Sequence, residues 1–213
     1  MIPDFFKNKV PFFFKKILIN FLLLKEGVVI KEAKNQEDLS MAYHFRWNIY
    51  TKEDYIDPAD YPDKELKDKY DEFSINLLAI KNQKPVGAVR MVFFSQLGFP
   101  TANAFNFLNF EIPAKEVLEI SKLCVIKEYR KTIVTLGLLK KAYEYSKEKK
   151  INYWLMGMPP RLKDRFSKFN VKFKSVPIQP PEVRHIEERK TAKKYFQKLL
   201  IQPYLLNLKE FDK

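Results

Sequence analysis

In the segment EISKLCVIKEYRK, residues 119–131, Glu119 and Lys122 stand among Ile120, Leu123, Cys124 and Val125. Burial lifts a carboxylate's pKa toward the range in which it can accept a proton near neutrality, so Glu119 is the best candidate for a general base in the chain. The ammonium of Lys122 is the nearest cation. Charges in an apolar strand are costly unless paired or used, so two readings fit: a solvated strand edge, or the floor of a reactive cleft. Regular alternation sends Glu119 and Lys122 to opposite faces. The strand then runs into Arg130, Lys131 and Thr132 ahead of an apolar-periodic stretch, and cations at a helix start suit a phosphate.

The pattern around these residues predicts the elements that must position them. VVIKEA (28–33) reads as a strand. Residues 36–50 read as a helix with Leu39, Ala42, Tyr43, Ile49 and Tyr50 on one stripe, and Arg46 falls on that stripe. Residues 51–69 form a long Asp/Pro/Lys/Tyr-rich loop. FSINLLAI (73–80) and PVGAVRMVFF (85–94) make a hairpin across KNQK. A loop through Pro100 and an aromatic patch, AFNFLNF, follow. Strand 117–126, a helix carrying Leu136, Leu139 and Tyr143, strand 152–158, a proline-initiated short helix and strand 171–176 complete the series. A strand–helix–strand passage requires a parallel pair. The fold class is therefore α/β, with a mixed, mostly antiparallel central sheet flanked by helices.

Composition narrows the function. The formal net charge of +13 calls for an acidic partner, but basic and acidic residues alternate and no nucleic-acid reading motif occurs, so nucleic acid is not expected. One cysteine and two distant histidines exclude a disulfide and make a metal site unexpected. Those counts fit a cytoplasmic setting. The apolar run Ile17–Leu24 is too short to span a bilayer, and KEGVV is a poor cleavage site. Residues 1–27 are read as an amphipathic aromatic and basic segment. Through residues 5–24 it packs on the domain or rests at the inner membrane as a peripheral contact. Residues 28–180 form the principal domain, and 181–213 a basic helical extension with a helix near 186–200.

The element order, with Arg46 followed by Tyr50, DKYD (68–71) before a strand, VGAVRMV with Arg90, and EISKL matching a Glu-x-Ser-Arg pattern, resembles the GNAT acyltransferase fold. Within it the chain is most similar to the acyl-homoserine-lactone synthases and N-acyl amino acid synthases over residues 28–176. Ile56 stands where the lactone synthases carry tryptophan, Leu66 where they carry glutamate, and Lys122 where they carry arginine. An ammonium keeps the charge of a guanidinium but loses its bidentate fork. These departures point away from a homoserine-lactone product and toward an amino-acid or other amine acceptor.

The resemblance implies transfer of a fatty acyl group from an acyl carrier protein thioester to a small amine. No cofactor is permanently bound; the donor is acyl-phosphopantetheine on the carrier, or acyl-coenzyme A. Glu119 and Lys122 become the catalytic pair, brought to one side by the β-bulge usual at this strand. Arg46, Asp68, Asp71 and Arg90 surround the acceptor, with Arg90 as a carboxylate clamp or as part of a plain ion-pair network. Phe105 and Phe107 shield the acyl chain. Val125, Arg130, Lys131 and Thr132 hold the phosphopantetheine, and Lys127, Lys140 and Lys141 add to a carrier landing patch or a solvated face. Cys124 is expected as a buried small residue and His44 as a surface one. The alternatives are a coenzyme-A-dependent acetyltransferase of the same fold, or a non-catalytic module that binds acyl carrier protein or membrane.

Overall fold

The computed structural model describes residues 12–105, 112–130, 132–167, 172–176 and 199–211. In chain order its helices and strands are α1 (Phe12–Lys25), β1 (Val28–Glu32), α2 (Gln36–Lys52), β2 (Ser74–Lys81), β3 (Lys84–Phe93), α3 (Pro100–Phe105), β4 (Val117–Val125), α4 (Ile133–Glu148), β5 (Tyr153–Met158), α5 (Pro160–Ser167), β6 (Phe173–Ser175) and β7 (Gln202–Asn207). The strands form one seven-stranded sheet in the order β1-β2-β3-β4-β5-β7-β6. Every neighbouring pair is antiparallel except β4 with β5. The mixed, mostly antiparallel sheet expected from the sequence is present, including its parallel pair.

Local chemistry accounts for the elements around the cleft. Asn35 caps α2 by accepting a hydrogen bond from the Asp38 amide at 2.8 Å. The β2–β3 turn places Asn82 and Gln83 at φ 48° and 61°, the two left-handed residues of a tight hairpin. One sheet face packs Leu77, Val89, Leu118 and Met156 against Val134, Leu138 and Ala142 of α4, and against Ile19 and Leu23 of α1. The other face packs Leu78, Ala88 and Cys124 against Ala42, Phe45 and Ile49 of α2. Zero exposure at Val134, Leu138 and Ala142 marks the stripe that seats α4 on the sheet, whereas Leu136 and Leu139 are only half-buried. Gly137 allows α1 to cross α4 closely, since a Cβ there would lie 2.8 Å from Leu23 Cδ1. The outward side of α1 leaves Ile17, Phe21 and Leu24 exposed at 51%, 61% and 79%.

Two elements differ from expectation. Residues 100–105, read as loop, form α3, with Pro100 at its first position where a missing N–H costs nothing. The helix expected over 186–200 lies almost wholly outside the described residues. Beyond it, Gln202–Asn207 are not part of a helical appendage but form β7, inserted between β5 and β6. Pro203–Leu206 are buried on both sides, and such a continuous apolar run lacks the alternation by which a half-exposed strand is read.

Candidate active site

The cleft begins with an irregularity in β4. Ala88 of β3 pairs with Cys124 and Arg90 with Ser121, so Val89 alone faces both Lys122 and Leu123. This is a β-bulge, with Lys122 in the left-handed region at φ 52°. The extra residue resets the alternation. Leu118, Ile120 and Leu123 turn to the α1/α4 side, while Glu119 and Ser121 meet partners on the opposite side, as do Lys122 and Cys124. The bulge therefore brings Glu119 and Lys122 to one face, which strict alternation forbids.

Beside the bulge the sheet opens. Parallel pairing of β4 and β5 extends only from Val117–Tyr153 to Glu119–Leu155, although β4 continues to Val125 and β5 to Met158. The two strands part at Glu119. Peptide groups along the parted edges are directional donors and acceptors suited to an extended, amide-containing ligand.

Glu119 is 1% exposed, and burial pushes its carboxyl up to about 7 from an ordinary 4.5. Hydrogen bonds from Thr101 and the charge of Arg90 oppose that rise without cancelling it. Lys122 is half-buried, with Nζ 5.3 Å from the centroid of the Tyr50 ring. Burial lowers its ammonium to about 8, against the opposing pull of Asp68. Burial thus moves both groups toward neutrality, the carboxyl from below and the ammonium from above.

Arg46, Asp68, Asp71 and Arg90 do come together. Arg46 donates to Asp71 at 2.9 Å and to Asn76 at 3.2 Å. Arg90 donates through Nη1 to Asp68 at 2.7 Å and Asp71 at 2.9 Å, and through Nε to Ser121 at 3.0 Å. Both arginines are 1% exposed. For Asp68, burial works to raise the carboxyl, but Arg90 and then Lys122 outweigh it and hold it well below the usual carboxylate range. Arg90's bonds to two aspartates and Ser121 make it the centre of an internal ion-pair network. Of the two expectations for Arg90, carboxylate clamp or ion-pair network, these bonds match the network; Lys122 is half-buried and the Asp68 side chain 38% exposed.

The expected donor residues are arranged differently from a simple phosphate cradle. Arg130 donates to the Val125 carbonyl at 3.0 Å and to Glu53 at 2.6 Å, tying the end of β4 to the end of α2. Thr132 caps α4 by accepting from the Val134 amide. Lys131 and Phe107 lie outside the described residues, while Phe105 ends α3. Lys140 pairs with Glu144 at 2.6 Å on the α4 surface. Cys124 is buried in the cluster of Leu78 and Ala88, and burial pushes its thiol up to about 12, away from the thiolate form. His44 is exposed and stacks on Trp47. Among the described residues no cluster of metal-ligating side chains occurs.

One site residue escaped sequence reasoning. Thr101, at the start of α3, donates its amide to Glu119 Oε2 at 2.9 Å and its hydroxyl to Oε1 at 2.7 Å. Only the proline before it, as a helix-start signal, could have drawn attention to it.

Comparison with known proteins follows the same lines. The family model for the N-acyl amino acid synthase FeeM matches residues 41–174. No curated protein matches the sequence. Among solved structures, the CoA-dependent acyl-homoserine lactone synthase BjaI, with SAM and isopentyl-CoA, superposes with TM-score 0.64 at 18% identity, over 87% of this chain and 85% of that one. FeeM itself, an N-acyl amino acid synthase from uncultured soil microbes, gives TM-score 0.58 at 12% identity, over 86% and 92%. A GNAT-family acetyltransferase from Staphylococcus aureus Mu50 gives 0.52 at 19%, over 85% and 99%.

Proposed function

Because this chain belongs to the N-acyl amino acid synthase FeeM family of GNAT-fold acyltransferases, we propose that it moves a fatty acyl group from a phosphopantetheine thioester to the amine of an amino acid or similar small acceptor. The observation that carries this reading is Glu119, buried on the bulged strand at the point where β4 and β5 part. The thioester arm lies along the parted edges with its carbonyl beside Glu119. The acceptor amine loses a proton to Glu119, directly or through a water, and its nitrogen attacks the carbonyl carbon. Peptide N–H groups freed by the bulge stabilise the oxyanion. The attack forms the C–N bond; collapse of the tetrahedral intermediate re-forms the carbonyl and breaks the C–S bond, and the proton taken up by Glu119 passes to the departing sulfur, so that amide and thiol are released. Lys122 and Asp68 orient the acceptor at the mouth, while Arg46, Asp71 and Arg90 keep the floor rigid.

For the donor, coenzyme A has the better support, because BjaI, similar over most of the chain, is a CoA-dependent enzyme. The carrier-protein alternative rests on Lys127 and Arg130, and Arg130 is engaged by Glu53. Thr132 and the start of α4 would receive the donor phosphate. Phe105, with Phe107, would flank the acyl chain. Purified protein given acyl-coenzyme A from acetyl to palmitoyl, with a mixture of the common amino acids, should form N-acyl amino acids best from the longer donors. A flat profile, or a preference for acetyl, would replace this reading with an acetyltransferase of the same fold. Activity with acyl carrier protein alone would reverse the donor assignment.

The enzyme is proposed to work in the cytoplasm against the inner membrane. Among the described residues no helix is long and apolar enough to cross a membrane. Helix α1 does expose Ile17, Phe21 and Leu24 one turn apart, carries Lys15, Lys16 and Lys25, and has no acidic residue. In vesicle sedimentation, Phe21→Glu combined with Leu24→Glu should lower binding to phosphatidylglycerol-containing vesicles by about tenfold or more. Equal sedimentation of both proteins would remove α1 as the contact.

A further inference from the structure

We propose that Thr101 is the positioning residue of the proton acceptor, gripping both oxygens of Glu119 so that the carboxylate keeps one orientation at the mouth of the β4–β5 opening. The inference rests on Glu119 acting as base. It arises from the way one residue supplies two donors of different kinds. The Thr101 amide donates to Oε2 at 2.9 Å and its hydroxyl to Oε1 at 2.7 Å. Pro100 has no N–H, so the Thr101 amide is the first donor that α3 can offer. Each carboxylate oxygen has two lone-pair sites, and this grip leaves one free on each for an incoming proton.

The surroundings hold Thr101 in place independently of Glu119. Asn103 donates to Tyr70 Oη at 2.6 Å and to the Leu97 carbonyl at 2.7 Å, which pins α3 to the loop that presents Asp68. Gly157 of β5 lies behind Thr101. A Cβ there would sit 3.2 Å from Thr101 Oγ1 and 3.3 Å from Ile201 Cγ2, so the missing side chain is what lets the hydroxyl seat beside the sheet. Neither α3 nor β5 contains a charged residue. The charges that act on Glu119 come from Arg90 of β3 and from Asp68, in the segment before β2. Thr101 therefore opposes the effect of burial ahead of Arg90, and its two hydrogen bonds favour the ionised carboxylate.

The test compares Thr101→Val, Thr101→Ser and Glu119→Gln with the unaltered enzyme. Lauroyl-coenzyme A and a mixture of the common amino acids serve as substrates, with product followed by mass spectrometry as a function of pH. Thr101→Val should move the acid limb of kcat/KM alkaline by about one pH unit, from loss of one hydrogen bond to a charged group. Its kcat should fall about tenfold through loss of orientation, with KM for the thioester unchanged. Thr101→Ser should restore both. If melting shows Thr101→Val to be unfolded, Thr101→Ala, which deletes the hydroxyl and adds nothing in its place, must give the same alkaline movement. An unmoved acid limb in folded Thr101→Val or Thr101→Ala, while Glu119→Gln is inactive, overturns the proposal alone. A fully active Glu119→Gln enzyme overturns the base assignment and this proposal with it.

Discussion

Replacing Glu119 by glutamine should lower turnover by about 10²-fold or more, the usual contribution of a positioned general base, while leaving the fold intact. Glutamine matches the carboxylate in shape. Its carbonyl oxygen can accept from the Thr101 amide, and its amide can donate to the Thr101 hydroxyl, which accepts as readily as it donates. Only proton affinity is lost. The pH dependence has a defined sign. The folded carboxyl ionises at about 7, so the native enzyme's activity should fall as pH drops through that value. Stability moves the other way. Between the ordinary 4.5 of the unfolded chain and about 7 in the fold, the unfolded state holds fewer protons, so this group makes stability fall as pH rises. Glu119→Gln should remove both dependences. Thermal melts at several pH values and initial rates over the same range check them together, and an unchanged acid limb in the variant would take Glu119 out of the mechanism.

The second large effect concerns stability. Asp71 is 6% exposed and accepts from both Arg46 and Arg90, each 1% exposed. Asp71→Ala leaves Arg46 without a carboxylate partner among the described residues and Arg90 with Asp68 only. Breaking a buried ion pair from one side costs about 3–5 kcal/mol, since the remaining charge stays out of water. For a chain of this length that is a fall in Tm of roughly 10 °C. Asp68→Ala should cost clearly less, because its side chain is 38% exposed and Arg90 keeps Asp71 and Ser121. Differential scanning calorimetry distinguishes the two. Equal melting temperatures for Asp71→Ala and the unaltered protein would mean that water replaces the carboxylate at little cost.

Much of this arrangement was legible in the residues because local pattern and long-range packing agree. The hairpin, the β4–α4–β5 passage and the clustering of Arg46, Asp68, Asp71 and Arg90 follow from periodicity, turn chemistry and a family resemblance. Other features depend on contacts between distant segments. Strict alternation separates Glu119 from Lys122; the bulge that reunites them is expected from the family resemblance and not from the residues themselves, since nothing in SKLC marks a lysine for a left-handed φ. Arg90 reads equally as a clamp or as an ion-pair partner until Asp68 and Asp71, from the segment before β2, fold onto it. Thr101 acts 18 positions from Glu119, with the aromatic patch 104–110 between them and no pattern that pairs the two. β7 hides because burial on both faces erases the alternation by which a strand is usually read.

The central claim is that Glu119 removes a proton from an amine during acyl transfer, and its most direct test is the lipid product. Extracts of cells that overexpress the unaltered chain, compared by mass spectrometry with extracts of cells that overexpress Glu119→Gln to the same level, should contain N-acyl amino acids in the first case and lack them in the second. The same N-acyl species in equal amount from both, or in neither, would contradict the account.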